Sequence, residues 1–177
     1  MSLLSLSLDE FRKSQLSESG QPYDKIVVGA AAFRYDPNLT SPSILLLKRA
    51  AHEPYFPNVF ELPSGKVDPD DKSLKDALVR EVKEETGLDI VEIHAELEPM
   101  IYSTEKAVMD NAGKEVIVSK SAIQLNLVVS VSAGTVTLNA EEHSDSRWAI
   151  KEELIELDIT DAMRVVIREA FEWAASQ

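Results

Sequence analysis

Alternation and periodicity divide the chain into strand-like segments separated by three helical ones. Ile26–Phe33 (IVVGAAAF) and Ile44–Leu47 (ILLL) are short apolar runs bounded by turn residues, the pattern of buried strands. Pro37, Asn38 and Pro42 mark the turn between them. A loop from His52 to Asn58 leads into Val59–Leu62 and a sharp Pro63-Ser64-Gly65 bend. Ile90–Ile93 and Met100–Ser103 predict two short strands. The β-branched Val116–Val131 predicts one long strand or two adjoining ones, after a turn at Asp110–Gly113. Ala133-Gly134 reads as a hairpin turn into a further strand at Val136–Leu138, and Arg147–Ile150 as the last strand.

The helical periods are equally distinct. Leu4, Leu8 and Phe11 recur at helical spacing, predicting a short amphipathic helix, and the polar Ser17–Asp24 loop follows. Lys72–Thr86 is the second, with Ser73 as N-cap and Gly87 closing it. Met163, Val166, Ile167, Ala170, Phe171 and Ala174 define a third over Asp161–Ala175, capped by Thr160. The order predicts an α/β fold, a mixed β-sheet sandwiched by helices. Residues 1–24 are expected to form a helix and loop packed on a single domain at 25–177.

Composition narrows the partners. Against 18 basic residues stand 31 acidic ones, a net charge of −13, which disfavours nucleic-acid polymers and anionic membranes because both are polyanions. With no cysteine, disulfides, thiolate nucleophiles and cysteine-bound zinc are excluded. Met1–Leu8 is apolar but lacks a basic leader, and Asp9, Glu10, Arg12 and Lys13 interrupt it, so it does not read as a signal peptide. The expected location is the cytoplasm.

The Lys72–Thr86 segment breaks its own pattern. On a helical wheel Leu74, Ala77 and Leu78 form the buried stripe, while Lys72, Lys75, Lys83 and Thr86 fall on the watery side. Glu81, Glu84 and Glu85 continue the stripe instead of decorating the polar face. They lie at i, i+3 and i+4 and repel one another, and the helix dipole's negative end disfavours each by roughly 0.3–1 kcal/mol. A hard divalent cation, Mg²⁺ or Mn²⁺, suits such oxygens, and Arg80 can orient a carboxylate from four residues before Glu84.

Gly65–Leu88, GKVDPDDKSLKDALVREVKEETGL, resembles the Nudix box G-x5-E-x7-R-E-U-x-E-E-x-G-U, where U is apolar. Gly65, Arg80, Glu81, Val82, Glu84, Glu85, Gly87 and Leu88 match, and with the preceding ELPSGKV the resemblance extends from about Lys25 to the end. Gly65 and Arg80 are fifteen positions apart where the pattern has fourteen, so one residue is inserted. The box's first glutamate then falls on Asp71 or Lys72, with Asp70 and Asp71 the acidic substitutes, and Ser64 replaces the first glycine of the common Gly-Gly-Lys.

The resemblance implies a Nudix-type α/β/α sandwich and Mg²⁺-dependent hydrolysis of a nucleoside diphosphate linked to another group, X. Modified nucleoside triphosphates, ADP-ribose and nucleotide sugars are candidate substrates. It further implies that Glu81, Glu84, Glu85 and the Ser64 carbonyl ligate metal, with Mn²⁺ a substitute for Mg²⁺. Arg80 would orient a glutamate. Glu142, or else Glu141, would supply a further ligand or base from the loop before the last strand; the base is Glu81 or Glu142. Homodimers are common in such a family. Arg49 and Lys66 could contact phosphate. Tyr55, Phe56 and Phe60 are expected in the core rather than on a base, and Trp148 and Trp173 in the core as well. His52, His94 and His143 lack ligand spacing and read as surface or loop residues. The competing readings are a catalytically weak Nudix-fold nucleotide-binding or regulatory module, and an acidic Ca²⁺-binding protein, which the absence of EF-hand spacing disfavours.

Overall fold

The computed structural model describes residues 2–38 and 40–177. Eight strands form one mixed sheet: β1 (Lys25–Arg34), β2 (Ser43–Arg49), β3 (Phe60–Glu61), β4 (Ser64–Lys66), β5 (Ile90–Glu96), β6 (Met100–Met109), β7 (Glu115–Val131) and β8 (His143–Ala149). Helices α1 (Leu8–Ser14), α2 (Leu74–Thr86) and α3 (Asp161–Ala175) complete the fold. Central β1 and β7 run parallel, in register from Lys25↔Ala122 to Phe33↔Ser130. Along its far edge β7 pairs first with β6 and then with β5, both antiparallel. The predicted α/β class and mixed sheet are observed, and Val116–Val131 is one strand, begun one residue earlier.

β1 and β2 pair at Phe33↔Ile44 and Arg34↔Ser43. Below that point β1 pairs instead with β4, through Val27↔Lys66 and Gly29↔Ser64, while β2 pairs with β3 and β8. This split lets the bend after β3 dock on a central strand. Alternation then separates two cores. Val28, Ala30, Leu125 and Leu127 meet α1 and α2 on one face, and Ala31, Val128 and Ile44 meet α3 on the other.

Helix α2 is braced at both ends. Ser73 caps it, and the Leu74 N–H donates to the Leu6 carbonyl of the N-terminal segment at 2.9 Å. At the far end Gly87 takes the left-handed conformation (φ 73°). The expected strand at Val136–Leu138 is not formed, nor is a hairpin at Ala133-Gly134. The Thr137 N–H is spent on the Thr86 carbonyl at 2.8 Å, while Val136 and Leu138 pack on the core. Thr86, expected in water, is therefore buried; its hydroxyl donates to the Val82 carbonyl at 2.6 Å. Trp148 and Trp173 are only partly buried: Arg34 lies 4.5 Å above the Trp148 ring, and Trp173 stacks on His94.

Among the described residues no helix is long and apolar enough to cross a membrane. Phe11 of α1 is completely buried in the core shared with α2. Phe11→Ala should therefore cost about 3–5 kcal/mol in a urea titration, whereas a merely tethered helix would leave the midpoint unchanged.

Candidate active site

The Pro63–Lys66 bend is held against β1, where the Ala30 N–H donates to the Pro63 carbonyl at 2.9 Å. On the same strand Gly29 leaves room for two β7 side chains, since a Cβ there would lie 2.7 Å from Asn126 Oδ1 and 2.8 Å from Gln124 Nε2. Across the bend, the Ser64 N–H donates to Glu85 Oε2 at 2.8 Å. Gly65 lies against Glu81, where a Cβ would overlap the carboxylate. Ser64 is not among the residues with positive φ, so serine in place of glycine carries no backbone penalty.

Arg80 organises the exposed side of this cluster. Its Nε and Nη2 donate to the two oxygens of Asp71 at 2.9 and 2.7 Å, and its Nη1 donates to Glu81 Oε1 at 2.7 Å and to Glu84 Oε2 at 3.3 Å. Nη2 also donates to the Lys66 carbonyl at 3.1 Å. The two-pronged pair holds the Asp71 carboxyl below its usual range and keeps Arg80 firmly charged. Of the two acidic substitutes, Asp71 thus joins the cluster and Asp70 stays exposed. A tight turn, with the Asp71 N–H donating to the Asp68 carbonyl at 3.1 Å, accommodates the inserted residue.

The three glutamates are not equally inward. Glu85 is 3 % exposed, and the side chains of Glu81 and Glu84 are 12 % and 57 % exposed, so Glu84 stands at the rim on the Arg80 side. Burial is the main force raising the Glu85 carboxyl well above its ordinary range. The Ser64 N–H opposes it, while the charges of Glu61, Glu81 and Glu142 add to it. Glu81 is raised for the same first reason, with Arg80 opposing.

Opposite α2 lies the start of β8. Glu142 is exposed, accepts from Asn139 Nδ2 at 3.1 Å, and is pinned through its carbonyl to the Ala50 N–H at 2.8 Å. Its carboxylate, that of Glu85 and a ring nitrogen of His143 lie within 4.8 Å of one another, a grouping that Glu141 does not join. His143 is no surface or loop residue. It pairs with Arg49 across β2–β8, is 3 % exposed, and lies with Nε2 3.2 Å from Glu61 Oε1 and Nδ1 4.0 Å from Glu85 Oε1. Nothing in its local sequence marks this, because strand pairing turns the ring inward. Glu61 was legible in principle, as a lone carboxylate interrupting the apolar Val59–Leu62 run.

Arg49 closes the circuit. It donates to Glu61 Oε1 and Glu53 Oε2, each at 2.9 Å, and to the Tyr55 carbonyl at 2.9 Å. Its nitrogens are thus already engaged, and the Lys66 side chain is exposed beside Gly65. Next to Arg49 and Glu61 opens a cavity of about 250 Å³, walled by Tyr55, Phe56, Phe60, Tyr102, Gln124 and Met163. Phe60 is core, as expected, but Tyr55 and Phe56 are exposed at 37 % and 63 %. Left-handed residues at Phe56 (φ 48°) and Asn58 (φ 64°) turn that loop outward.

Two outcomes are expected. Gly65→Ala should cost about 1–3 kcal/mol in thermal unfolding, by pushing Glu81 aside, and should reduce the melting-temperature gain on adding a divalent cation. The second is a pH effect. A carboxyl raised in the fold contributes stability in full below its ordinary value of 4.5 and loses it as pH rises through the raised value. The cation-free melting temperature should therefore fall as pH climbs from 4.5, less so in Glu85→Gln. Asp71 acts in the opposite sense, losing its contribution as pH drops below 3.8.

The model of the NUDIX domain matches residues 25–170. Among solved structures, the NUDIX domain of Shewanella oneidensis NrtR, complexed with ADP ribose, is similar at 18% identity and a TM-score of 0.62, over 96% of this chain and 99% of that one. A MutT protein from Methanosarcina mazei Go1 is 25% identical with a TM-score of 0.60, over 86% of this chain and 96% of its own. A C. elegans Ap4A hydrolase is 22% identical with a TM-score of 0.56, over 86% and 99%. No curated protein matches the sequence. With Glu81, Glu84 and Glu85 on α2 and the glycine bend beneath them, the chain belongs to the NUDIX domain family.

Proposed function

We propose that this chain hydrolyses the diphosphate linkage of a nucleoside diphosphate joined to a small group X, using Mg²⁺ or, in its place, Mn²⁺. The observation that carries the reading is the gathering of Glu81 and Glu85 beneath the Ser64–Gly65 bend, with Glu142 facing them and a base-sized cavity alongside. In this reading Glu81, Glu84, Glu85, Glu142 and the Ser64 carbonyl hold the cation. The cation supplies charge neutralisation for a diphosphate that a −13 chain would repel, and acidifies the attacking water. Arg80 keeps Glu81 in place through their 2.7 Å hydrogen bond. Glu142 or Glu81 takes the proton from water.

The cavity's aromatic walls suit a flat nucleobase, and its size favours one nucleoside with a compact X, as in ADP-ribose, a nucleotide sugar or a modified nucleoside triphosphate. A dinucleoside polyphosphate would leave its second nucleoside outside. With its three bonds inside the protein, Arg49 serves first to hold Glu61, and Lys66 is the freer phosphate contact. A cytoplasmic location is part of the same proposal.

A panel of these compounds, assayed for nucleoside monophosphate release with Mg²⁺ and with chelator, tests the reading. Turnover should require the cation, and Glu84→Gln and Glu85→Gln should each abolish it while the fold survives. Undiminished turnover in both variants would reject the assignment. Binding of a nucleotide without hydrolysis would favour a catalytically weak module. Glu142→Gln and Glu81→Gln separate the base candidates at saturating cation: the variant that has lost the base stays low in kcat, whereas the one that has lost only a ligand recovers turnover.

A further inference from the structure

His143 has a role that the carboxylate cluster alone does not assign. Its ring is 3 % exposed, and its Nδ1 is a buried side-chain nitrogen with no hydrogen-bond partner among the described residues. Nε2 lies 3.2 Å from Glu61 Oε1, and the tautomer in which it donates to that carboxylate leaves Nδ1 with a bare lone pair. Nδ1 lies 4.0 Å from Glu85 Oε1, too far for a hydrogen bond but a spacing that two ligands of one ion can adopt. Glu142 offers a third donor atom within 4.8 Å of the other two. The other side of the ring completes the pattern. Metal-bound histidines donate their second nitrogen to a carboxylate that fixes the tautomer and ring plane, and Glu61, itself fixed by Arg49 at 2.9 Å, is such a carboxylate.

We propose that His143 Nδ1 is a nitrogen ligand, alongside Glu85 and Glu142, to the divalent cation of this site, and that it shifts the site's preference from Mg²⁺ toward a divalent transition-metal ion. This deepens the function proposed above and rests on its metal site. An all-oxygen site suits Mg²⁺, whereas imidazole contributes little to that hard ion and favours transition metals.

The probe is Mn²⁺ added to the full chain, unlabelled and with ¹⁵N-histidine. Pulsed electron paramagnetic resonance should show histidine nitrogen coupling that changes isotope on labelling, persists in His52→Ala and vanishes in His143→Gln. In calorimetry Mn²⁺ should bind more tightly than Mg²⁺, and His143→Gln should weaken Mn²⁺ by roughly tenfold or more while changing Mg²⁺ far less. Saturable Mn²⁺ binding lost in Glu85→Gln, but without histidine coupling in the wild type, overturns the nitrogen ligand and leaves the carboxylate site standing. Absence of saturable binding to the wild type, or binding that Glu85→Gln leaves intact, overturns the underlying metal reading too. If His143→Gln fails to fold, coupling that persists in both His52→Ala and His94→Ala still assigns it to His143.

Discussion

Anions packed against one another away from water are the constraint around which this molecule is arranged. Glu85 is buried beside Glu81, with Glu61 and Glu142 close enough to raise its pKa, in a chain that already carries −13. Two features make the arrangement tolerable before any cation arrives. The Ser64 N–H donates to Glu85, and Arg80 spreads one positive charge over Asp71, Glu81 and Glu84. Both work only if the bend and α2 keep their spacing. That explains a frame in which β4 is zipped to β1, Gly29 and Gly65 leave no room for a side chain, and α2 is tied at each end by a backbone bond from elsewhere in the chain. Rigidity here is electrostatic in purpose: a looser bend would let the carboxylates separate into solvent and dissolve the site.

What could be read from the chain was whatever depends on near neighbours. Ser73, Gly87, Thr160 and the apolar spacing of α2 and α3 are local signals, and both helices lie where those signals put them. The break in the α2 pattern was local as well: it marked Glu81, Glu84 and Glu85, of which Glu81 and Glu85 turn inward and Glu84 does not. Features decided by distant partners were not legible. Val136–Leu138 has strand-like composition, but its backbone answers to the end of α2. Thr86 lies on the polar arc of an isolated helix and is covered by that same returning segment. His143 gains its meaning only from the pairing of β8 with β2. Asp71 was ambiguous until the Asp68–Asp71 turn absorbed the extra residue.

Glu61 joins two parts of the site that the sequence keeps apart. One of its oxygens meets both the Arg49 guanidinium and the His143 ring, and its side chain is 17 % exposed, so these contacts are shielded better than surface pairs. Arg49 also holds the Tyr55 carbonyl and Glu53, which belong to the outward-turned loop that walls the cavity. The cavity wall and the carboxylate cluster therefore share an unbroken chain of contacts: the Tyr55 loop to Arg49, Arg49 to Glu61, Glu61 to His143, and His143 to the edge of Glu85. Arg49 cannot turn to a substrate phosphate without releasing Glu53, Glu61 or the Tyr55 carbonyl. Releasing Glu61 would leave its carboxylate to His143 alone, in a place where negative charge is already in excess. The same anionic crowding that Ser64 and Arg80 relieve on α2 thus makes Arg49 a structural partner of the site.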